Sequence, residues 1–532
     1  MLPRRAQART SQHARKPLSE SPVRFASQNS LHMAALGALF LLATAVQWNQ
    51  FQVPLLEGAA GKQAHMAMVA RNFASGTGTF LRPRVDDVGN PGYFVKELPL
   101  VPWIVSLTGE NSAQDTARRG RWTGWFGWLA AAFATSRLAM LTTSATGGVL
   151  TAAWMLLAPL ALAYGPAFQN DQWAVAASVA ALLAILGWRR QPSMRRALAC
   201  IPWLSVALLL KPHVAFWLAP AAITVLTARG SHGRPAGRAI AAMVSCGLVA
   251  GAIALPWYVH AMAVHRDYPV PGATVSEGWI NLRLLLEPFF WTELARQVGW
   301  MVLTPLGAGL AALGLSATRD ESRVVDAALF AWAGGVVLQD GLLATRLFDS
   351  LSRGTEYYQL PLLVPAAIFV ARGSLRIAGR LQVAPAWSRG VALGALAVAV
   401  LASSFRIAEN ARQVPARYEE LVANCAEVER ATDPRGSFVV FGDRGGTILY
   451  YCERRGITYA LAGGQEARVE VGSAPKVSNE DLNESLAAAE YVYFPYPELL
   501  TDRSLLAHFE TWWDPVRAVD SSIILFRKRY GQ

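Results

Sequence analysis

The sequence is poor in charged residues, which make up 16% of its 532 positions. Soluble globular proteins average about 25% charged residues, so this composition argues against a soluble protein. Apolar residues account for 53% of the chain, and the tryptophan count of 18 is high for its length. Because tryptophan concentrates at membrane–water interfaces, we predict a polytopic α-helical membrane protein.

Cysteine is also scarce, and the four cysteines are too few for the disulfide framework of a small secreted protein. Cys200 and Cys246 fall in apolar segments, where we expect them to pack. Cys425 and Cys452 fall in the C-terminal tail. A disulfide between them is permitted if the tail lies in an oxidising compartment, and simple burial is the alternative.

The sequence likewise lacks any cluster of histidine, cysteine and acidic residues at the spacing of metal ligands. It therefore indicates no metal site and requires no cofactor, and a divalent metal has no support from the residues.

Acidic residues are outnumbered by basic ones, which leaves a net charge of +12. The excess does not indicate a nucleic-acid partner, because the basic residues cluster between apolar segments. That placement is typical of the cytoplasmic loops of membrane proteins. The clusters lie in the N-terminal tail 1–30 and in the loops 189–196, 229–238 and 372–387.

Long apolar runs recur along the chain up to residue 405. A bilayer core about 30 Å thick requires roughly 20 apolar residues per helix. We predict about eleven spans, at 31–48, 122–141, 147–165, 173–188, 197–210, 213–228, 239–259, 298–317, 324–343, 357–371 and 388–405. Residues 197–228 could form one helix, but Lys211-Pro212-His213 interrupts them and favours a short hairpin.

These spans predict the orientation of the chain in a bacterial inner (cytoplasmic) membrane. We expect the first apolar stretch to remain as an uncleaved helix, because the polar segment before it is too long for a signal peptide. The basic tail 1–30 then lies in the cytoplasm, and the loop 49–121 lies on the periplasmic side. The transmembrane domain covers 31–405, and residues 406–532 form a periplasmic domain.

The segment 406–532 alternates short apolar runs with polar, helix-forming stretches. We predict strands at 438–441, 457–461, 490–494 and 522–528, and helices at 410–431, 446–455, 479–488 and 502–511. Alternating strands and helices predict a small α/β domain.

The loop 49–121 is rich in charged residues and prolines, which favour a defined path. Apolar spacing within it predicts a helix over 62–74. Residues 98–107 are apolar enough to lie along the membrane surface.

A series of short runs occurs in order along nearly the whole chain. The runs are GKQAHMAMVARNF at 61–73, FLRPRVD at 80–86, PGY at 91–93, ELPLVPW at 97–103, FQND at 168–171, EYYQLPL at 356–362 and LYYCERRG at 449–456. This series resembles the bacterial membrane glycosyltransferases of the GT-C fold. It is similar to the branch related to protein O-mannosyltransferases and lipid A aminoarabinose transferases.

The resemblance implies a GT-C-like catalytic domain over 31–405 that transfers a sugar outside the membrane, with inversion. The implied donor is a polyprenyl-phosphate sugar, and the implied acceptor is a hydroxyl on a lipid, glycan or protein. Such a transfer needs a carboxylate that accepts the proton of the attacking hydroxyl. It also needs positive charge at the departing phosphate.

The resemblance also implies two catalytic acids. Glu57, just after the first helix, matches the family's general base, and a solvated loop acid is the alternative. Asp171 matches a second family acid between the third and fourth helices. It could instead cap the helix that follows, or serve in both ways.

Seven further residues are candidate substrate-binding residues by the same resemblance. Each of the two arginines among them could instead form an ion pair with Asp86 or Asp87. The two tyrosines could instead serve only as interfacial aromatic anchors. The seven are Lys62, Arg71, Arg84, Lys96, Glu97, Tyr357 and Tyr358.

Two other classes of protein compete with this interpretation. A transporter or flippase of lipid-linked glycans would need internal repeats or polar pathways within the membrane, and the sequence has neither. A non-catalytic membrane scaffold, with a periplasmic domain that binds a partner, is disfavoured by the acids that flank the first and third spans.

Overall fold

The computed structural model describes fifteen parts of the chain, and all structural statements below refer to them. Much of the predicted tail 1–30, most of the basic loop 229–238, and the predicted helix 502–511 as far as residue 510 lie outside them. The described residues are 22–57, 59–109, 112–228, 237–268, 285–316, 322–343, 355–383, 385–412, 423–442, 446–461, 469–470, 479–494, 511, 513–519 and 523–529.

Helices dominate the structure up to residue 412, as predicted. In chain order they are α1 (Pro22–Val46), α2 (Ala60–Ala74), α3 (Leu100–Ser106), α4 (Ala113–Met140), α5 (Ala145–Leu157), α6 (Pro159–Tyr164), α7 (Asp171–Arg190), α8 (Met194–Leu198), α9 (Ile201–Leu210), α10 (Val214–Thr227), α11 (Gly237–Asp267), α12 (Pro288–Gln297), α13 (Thr304–Leu315), α14 (Arg323–Leu342), α15 (Leu363–Arg380) and α16 (Ala386–Arg412). Short 3-10 helices lie at Trp48–Phe51, Glu356–Leu362 and Leu381–Val383, and a π-helical turn at Val298–Leu303 joins α12 to α13.

Six helical segments are long and apolar enough to cross a membrane by length and composition. They are Asp171–Arg190, Gly237–Asp267, Pro288–Leu315, Arg323–Leu342, Glu356–Val383 and Ala386–Arg412. Shorter apolar helices at Ser30–Val46, Ala145–Leu157 and Val214–Thr227 coincide with three more predicted spans. The predicted spans 122–141 and 197–210 fall in α4 and α9, so the predicted number of about eleven is not confirmed.

Two prolines explain where predicted spans are interrupted. The predicted span 147–165 consists of two helices, because Pro159 starts α6 and holds Ala158 in an extended conformation (φ −62°, ψ 149°). The break predicted at Lys211-Pro212-His213 is confirmed, since α9 ends at Leu210 and α10 begins at Val214.

Glycines bring α13 and α15 into backbone contact. A Cβ atom on Gly314 would lie 1.9 Å from the carbonyl oxygen of Phe369, and one on Gly373 would lie 1.9 Å from that of Leu310. Small residues at such positions let membrane helices approach closely. Since α15 follows directly on the 3-10 helix Glu356–Leu362, its contact with α13 also fixes the position of that 3-10 helix.

The described residues of the loop after the first helix include the two predicted segments. The predicted helix at 62–74 is present as α2, which is packed through Ala64, Ala67 and Met68. The predicted surface segment 98–107 contains α3. Trp103, within α3, is 40% exposed, and Leu107, the residue after α3, is 65% exposed.

The C-terminal domain is a small α/β unit, as predicted. Its elements are α17 (Cys425–Ala431), β1 (Ser437–Phe441), α18 (Thr447–Tyr451), β2 (Arg455–Leu461), β3 (Val469–Glu470), α19 (Asn479–Ala488), β4 (Tyr491–Phe494), β5 (Trp513–Val519) and β6 (Ile523–Lys528). The strand order is β3-β2-β1-β4-β6-β5, with β1 parallel to both β2 and β4 and the outer pairs antiparallel.

Three details of this domain differ from the sequence predictions. The helix predicted at 446–455 ends at Tyr451, because Arg455 already pairs with β1. Of the helix predicted at 410–431, the described residues include the end of α16, to Arg412, and α17, which begins at Cys425, and residues 413–422 lie outside the described parts. The strands β3 and β5 were not predicted.

Cys425 and Cys452 form a disulfide that joins α17 to the end of α18, with their Cα atoms 4.5 Å apart. Cys200 and Cys246 are free and buried, as predicted for packing residues.

The C-terminal domain packs directly against the loop 49–121. The backbone N–H of Gly89 donates to the carbonyl of Gly456 at 2.9 Å, and the N–H of Gly456 donates to the carbonyl of Asp86 at 2.8 Å. The hydroxyl of Tyr450 donates to the carbonyl of Ala113 at 2.6 Å. The loop 49–121 and the C-terminal domain are therefore joined by hydrogen bonds at this end of the helices.

Candidate functional site

Asp171 is the centre of a buried ionic cluster. It is the first residue of α7, and its carboxylate contacts two lysines from distant parts of the chain. The Nζ atom of Lys62, in the first turn of α2, lies 2.6 Å from Oδ2 of Asp171. The Nζ atom of Lys211, in the break between α9 and α10, contacts Oδ1 of the same carboxylate. Asn170, and not Asp171, holds the N-cap position, so the carboxylate serves the lysines instead of capping α7.

Tyr357 and Tyr358 cover these lysines. Their rings are stacked with centroids 4.5 Å apart. Nζ of Lys62 lies 4.3 Å from the ring centroid of Tyr357, and Nζ of Lys211 lies 4.7 Å from that of Tyr358. A cation over an aromatic face is attracted by the ring quadrupole, so the tyrosines hold both ammonium groups in place.

The cluster keeps Lys62 charged. Burial disfavours the ammonium form, but the carboxylates of Asp171 and Glu97 outweigh it and raise the pKa of Lys62 above its ordinary value. Glu97 acts on Lys62 through space, which places this candidate near the cluster. The side chain of Lys62 is 24% exposed, whereas those of Asp171 and Lys211 are nearly fully buried. Lys62 is thus the cation of the cluster that is most open to a ligand.

Glu57 lies in a separate ion pair. Its Oε2 atom accepts a hydrogen bond from Nη2 of Arg121, in α4, at 2.7 Å. Nη1 of Arg121 lies 2.5 Å from Oε1 of the same carboxylate. Both side chains are buried. Among the described residues, no contact joins this pair to Asp171.

The contacts of Arg71 and Arg84 stabilise the conformation of the loop 49–121. Arg71 pairs with Asp86 at 2.7 Å and donates to the carbonyl of Tyr450 at 2.9 Å, so the predicted alternative of an ion pair holds for this residue. Arg84 donates to the carbonyls of Pro91 and Thr77, at 2.6 and 3.2 Å.

Lys96 precedes Glu97 in the sequence. Its Nζ atom lies 4.2 Å from the ring centroid of Phe94, and its backbone carbonyl accepts a hydrogen bond from the indole of Trp257. The structure thus brings together Lys62, Asp171, Glu97, Tyr357 and Tyr358. It places Glu57, Arg71, Arg84 and Lys96 in other contacts.

Comparisons with known proteins bear on the fold. No protein-family model matches the chain, and no curated protein matches it in sequence. Solved structures do match: ArnT from Cupriavidus metallidurans, in the apo state, has a TM-score of 0.55 at 14% identity, over 94% of this chain and 98% of ArnT. The same enzyme bound to undecaprenyl phosphate has a TM-score of 0.56, at 14% identity, over 93% and 98%.

An oligosaccharyltransferase from Archaeoglobus fulgidus, in complex with Zn and sulfate, matches at a TM-score of 0.51 and 13% identity. The match covers 90% of this chain and 71% of that one. ArnT and the oligosaccharyltransferase are both GT-C fold enzymes. This protein has the GT-C fold.

Within the GT-C fold, the ionic cluster lies where the loop after the first helix meets the ends of the helical bundle. Three segments meet there: the start of α2, the start of α7 and the break before α10. The 3-10 helix Glu356–Leu362 carries the two tyrosines to the same place. No group of three or more histidine, cysteine or acidic side chains in the described part of this GT-C chain could hold a metal ion.

Two partners of the predicted acids were missed by the sequence analysis. Lys211 was interpreted only as part of a helix break, although a charged residue between two apolar runs is itself a signal of function. Arg121, the last residue of the loop 49–121, had no predicted role. Its pairing with Glu57 depends on the packing of α4 against the loop and leaves no local pattern in this GT-C sequence.

Proposed function

We propose that this protein is a membrane glycosyltransferase that moves a sugar from a polyprenyl-phosphate donor to a hydroxyl acceptor on a lipid, glycan or protein. The transfer takes place on the periplasmic side, with inversion at the sugar carbon. One observation carries the proposal: in a GT-C fold, Lys62 and Lys211 converge on Asp171 beneath a tyrosine pair. That is an anion site with aromatic walls at the end of apolar helices.

The lysines are the proposed contacts of the donor phosphate. Lys62 is partly exposed, and the pKa of its side chain is raised, so it meets the phosphate as a cation. Charge-assisted contacts to a phosphate stabilise the negative charge that grows as the glycosidic bond breaks. The ArnT structure with bound undecaprenyl phosphate is a precedent for such a ligand in this fold. Lys96 and Glu97 extend the proposed donor site along the loop.

Asp171 has a positioning role in this proposal. One carboxylate between two ammonium groups draws them to a fixed separation and leaves one net positive charge on the trio. The tyrosine rings limit access of water to the same groups, which strengthens their electrostatic interaction with a ligand.

Glu57 is the proposed general base. Arg121 holds one oxygen of its carboxylate through a directed hydrogen bond. The other oxygen, Oε1, lies 2.5 Å from Nη1 of the same guanidinium. A carboxylate has more lone pairs than the two that Arg121 engages, so it can still accept the proton of an attacking hydroxyl, which is the step a base must perform.

The proposed orientation places the loop 49–121 and the C-terminal domain outside the cytoplasm, in the bacterial inner membrane. The Cys425–Cys452 disulfide supports it, because disulfides persist in oxidising compartments such as the periplasm. The close packing of the domain on the loop supports a shared side of the membrane for both.

A donor assay tests the function. The full chain, in nanodiscs, is supplied with radiolabelled polyprenyl-phosphate sugars and, in a parallel reaction, with the matching nucleotide sugars, each with a mixture of membrane lipids as acceptors. We expect sugar transfer and release of polyprenyl phosphate only in the first reaction. Turnover of a nucleotide sugar without a lipid carrier would reject the proposed donor class.

A further inference from the structure

The turn between α6 and α7 carries three buried amides with unsatisfied polar atoms. The side chain of Gln169 is fully buried, and neither its Oε1 nor its Nε2 atom has a hydrogen-bond partner among the described residues. Oδ1 of Asn170 and Oε1 of Gln172, both on buried side chains, also have no partner there. Buried polar groups in proteins nearly always have partners, so these atoms indicate a polar ligand.

The same turn connects the two parts of the proposed site. It begins after Tyr164, the last residue of α6, and the charge of Glu57 acts on the hydroxyl of that tyrosine through space. The ring of Tyr164 lies beside that of Tyr357, with centroids 6.1 Å apart. The turn ends at Asp171, the centre of the ionic cluster. The amides therefore lie on the segment that runs from the proposed base to the proposed phosphate site.

Backbone contacts hold the turn in place. Nε2 of Gln172 donates to the carbonyl oxygens of Tyr164 and Ala167, at 2.6 and 3.1 Å. The backbone N–H of Phe168 donates to Oε1 of Gln63 at 2.9 Å, which ties the turn to α2 and hence to the helix of the partly exposed lysine. A turn that is already fixed loses little conformational entropy when a ligand binds to it.

A tyrosine–carboxylate pair borders the start of the turn. The hydroxyl of Tyr164 donates to Oε2 of Glu356 at 2.6 Å, and Glu356 is partly exposed at the start of the 3-10 helix that carries the tyrosine pair. Together with the amides, this region presents more hydrogen-bond acceptors than donors. Sugar hydroxyl groups suit such a region, because each of them donates one hydrogen bond and can accept two.

We propose that the amides of Gln169, Asn170 and Gln172 bind hydroxyl groups of the donor sugar. The inference rests on the proposed function, which supplies the donor. In an inverting transfer the sugar carbon lies between the departing phosphate and the attacking hydroxyl, and so between the lysine cluster and Glu57. The turn spans that interval. The class of sugar that fits is one with at least two unsubstituted hydroxyl groups, which the amides select by hydrogen bonding.

The contribution of the sugar to binding tests the proposal separately from that of the phosphate. The probes are undecaprenyl phosphate, undecaprenyl-phosphate glucose and undecaprenyl-phosphate mannose, and native mass spectrometry of the detergent-solubilised full chain gives their affinities. The ratio of the affinities for a sugar-bearing lipid and the bare lipid cancels the contribution of the lysine cluster. In the wild type we expect this ratio to reach about ten for at least one sugar. A ratio of one or less for both sugars would overturn the proposal.

Gln169→Met removes the amide with little change in side-chain volume. The ratio should fall about tenfold, to near one, while the affinity for undecaprenyl phosphate is unchanged. The ligand-free variant should keep the thermal midpoint of the wild type, because an amide without a protein partner does not stabilise the fold. An unchanged ratio would overturn the proposal, and so would a marked loss of thermal stability, which would assign the amide to the fold.

Gln191→Met is the matched control. Gln191 is exposed at the opposite end of α7, about 30 Å from the turn at 1.5 Å per residue. Its replacement should leave the ratio unchanged. A loss of the ratio equal to that in Gln169→Met would show that the effect does not come from the turn and would overturn the proposal.

Monodeoxy analogues test for direct contact with the sugar. Each analogue of the preferred sugar lipid lacks one hydroxyl group and is measured with the wild type and with Gln169→Met. One analogue should bind the wild type about tenfold more weakly than its parent, but bind the variant as tightly as its parent does, because the partner of the missing hydroxyl is already gone. Equal losses in both proteins for every analogue would overturn the proposal.

The two proposals fail separately. If the protein turns over polyprenyl-phosphate sugars and the ratio is the same in wild type and Gln169→Met, the sugar site is wrong and the function stands. If the ratio depends on Gln169 and no sugar is transferred, the sugar site stands and the function is wrong.

Discussion

The hydroxyl oxygen of Tyr451 accepts a hydrogen bond from the backbone N–H of Leu55, at 2.5 Å, across 396 positions of the chain. Leu55 lies two residues before Glu57, so the C-terminal domain holds the segment that carries the proposed base. The next residue after Tyr451 is Cys452, whose disulfide to Cys425 ties this contact to the rest of the domain. The domain is therefore part of the site's construction and not an appendage.

Tyr451→Phe should loosen the Glu57 segment. The variant leaves the buried N–H of Leu55 without its acceptor, which costs about 1–3 kcal/mol. We expect faster hydrogen exchange at residues 55–57 and a lower transfer rate, with donor affinity unchanged. Tyr491→Phe is the control, because that hydroxyl bonds Asp433 within the domain. Unchanged exchange at 55–57 in Tyr451→Phe would show that the contact does not position the segment.

Removal of Lys211 should weaken donor binding. Lys211→Ala leaves Asp171 paired with Lys62 alone, so the trio loses its net positive charge. We expect the affinity for undecaprenyl phosphate to fall about ten- to hundredfold, the cost of one charge-assisted contact. Native mass spectrometry of the detergent-solubilised protein measures it. Lys528→Ala, on the last strand, is the matched control, and equal affinity in wild type and Lys211→Ala would remove the lysine pair from the donor site.

Asp171→Asn should make donor binding sensitive to alkaline pH. In the wild type the pKa of Lys62 is raised, so its charge persists as pH increases past the ordinary value of about 10.4. Without the Asp171 carboxylate, burial becomes the dominant influence, and the pKa falls. Lys62 then loses its proton at a lower pH than in the wild type, and the affinity for undecaprenyl phosphate should begin to decline at a lower pH in the variant than in the wild type. A flat profile in the variant, identical to wild type, would contradict this account of Lys62.

Reporter fusions test the orientation. A reporter that is active only outside the cytoplasm should work when fused after residue 532, and one that is active only inside should work within 229–238. The physical reason is the retention of Arg-rich loops in the cytoplasm. The opposite pattern at either position would invert the topology and place the proposed site in the cytoplasm.

The sequence was sufficient to predict features that depend on local pattern. The helix α2, the break at Lys211-Pro212-His213 and the alternating strands and helices of the tail follow from apolar spacing and from proline. The GT-C fold followed from a series of short runs, several of which now lie at the Asp171 cluster or on the loop. Pro159 also explains why the predicted span 147–165 is two helices.

The partners of the candidate residues could not be predicted, because they depend on which distant segments pack together. Lys211 reaches Asp171 only because α7 and α10 meet, and Arg121 reaches Glu57 only because α4 packs on the loop. Arg455 reaches Asp86 only because the loop pairs with β2. None of these contacts between distant segments produces a periodic pattern of apolar residues that sequence analysis could detect.

The central claim is that the carboxylate of Glu57, on the outer loop, is the general base of sugar transfer. Glu57→Gln tests this claim most directly. Single-turnover release of polyprenyl phosphate from a labelled donor, with acceptor present, is the measurement. General-base catalysis contributes about 10²–10⁴-fold, so the rate should fall by that factor while donor affinity is retained, since proton removal matters only in the transition state. Asp171→Asn, measured alongside, should lower donor affinity as well as rate. Near-normal turnover in Glu57→Gln, with Asp171→Asn inactive, would contradict the assignment and make Asp171 the base.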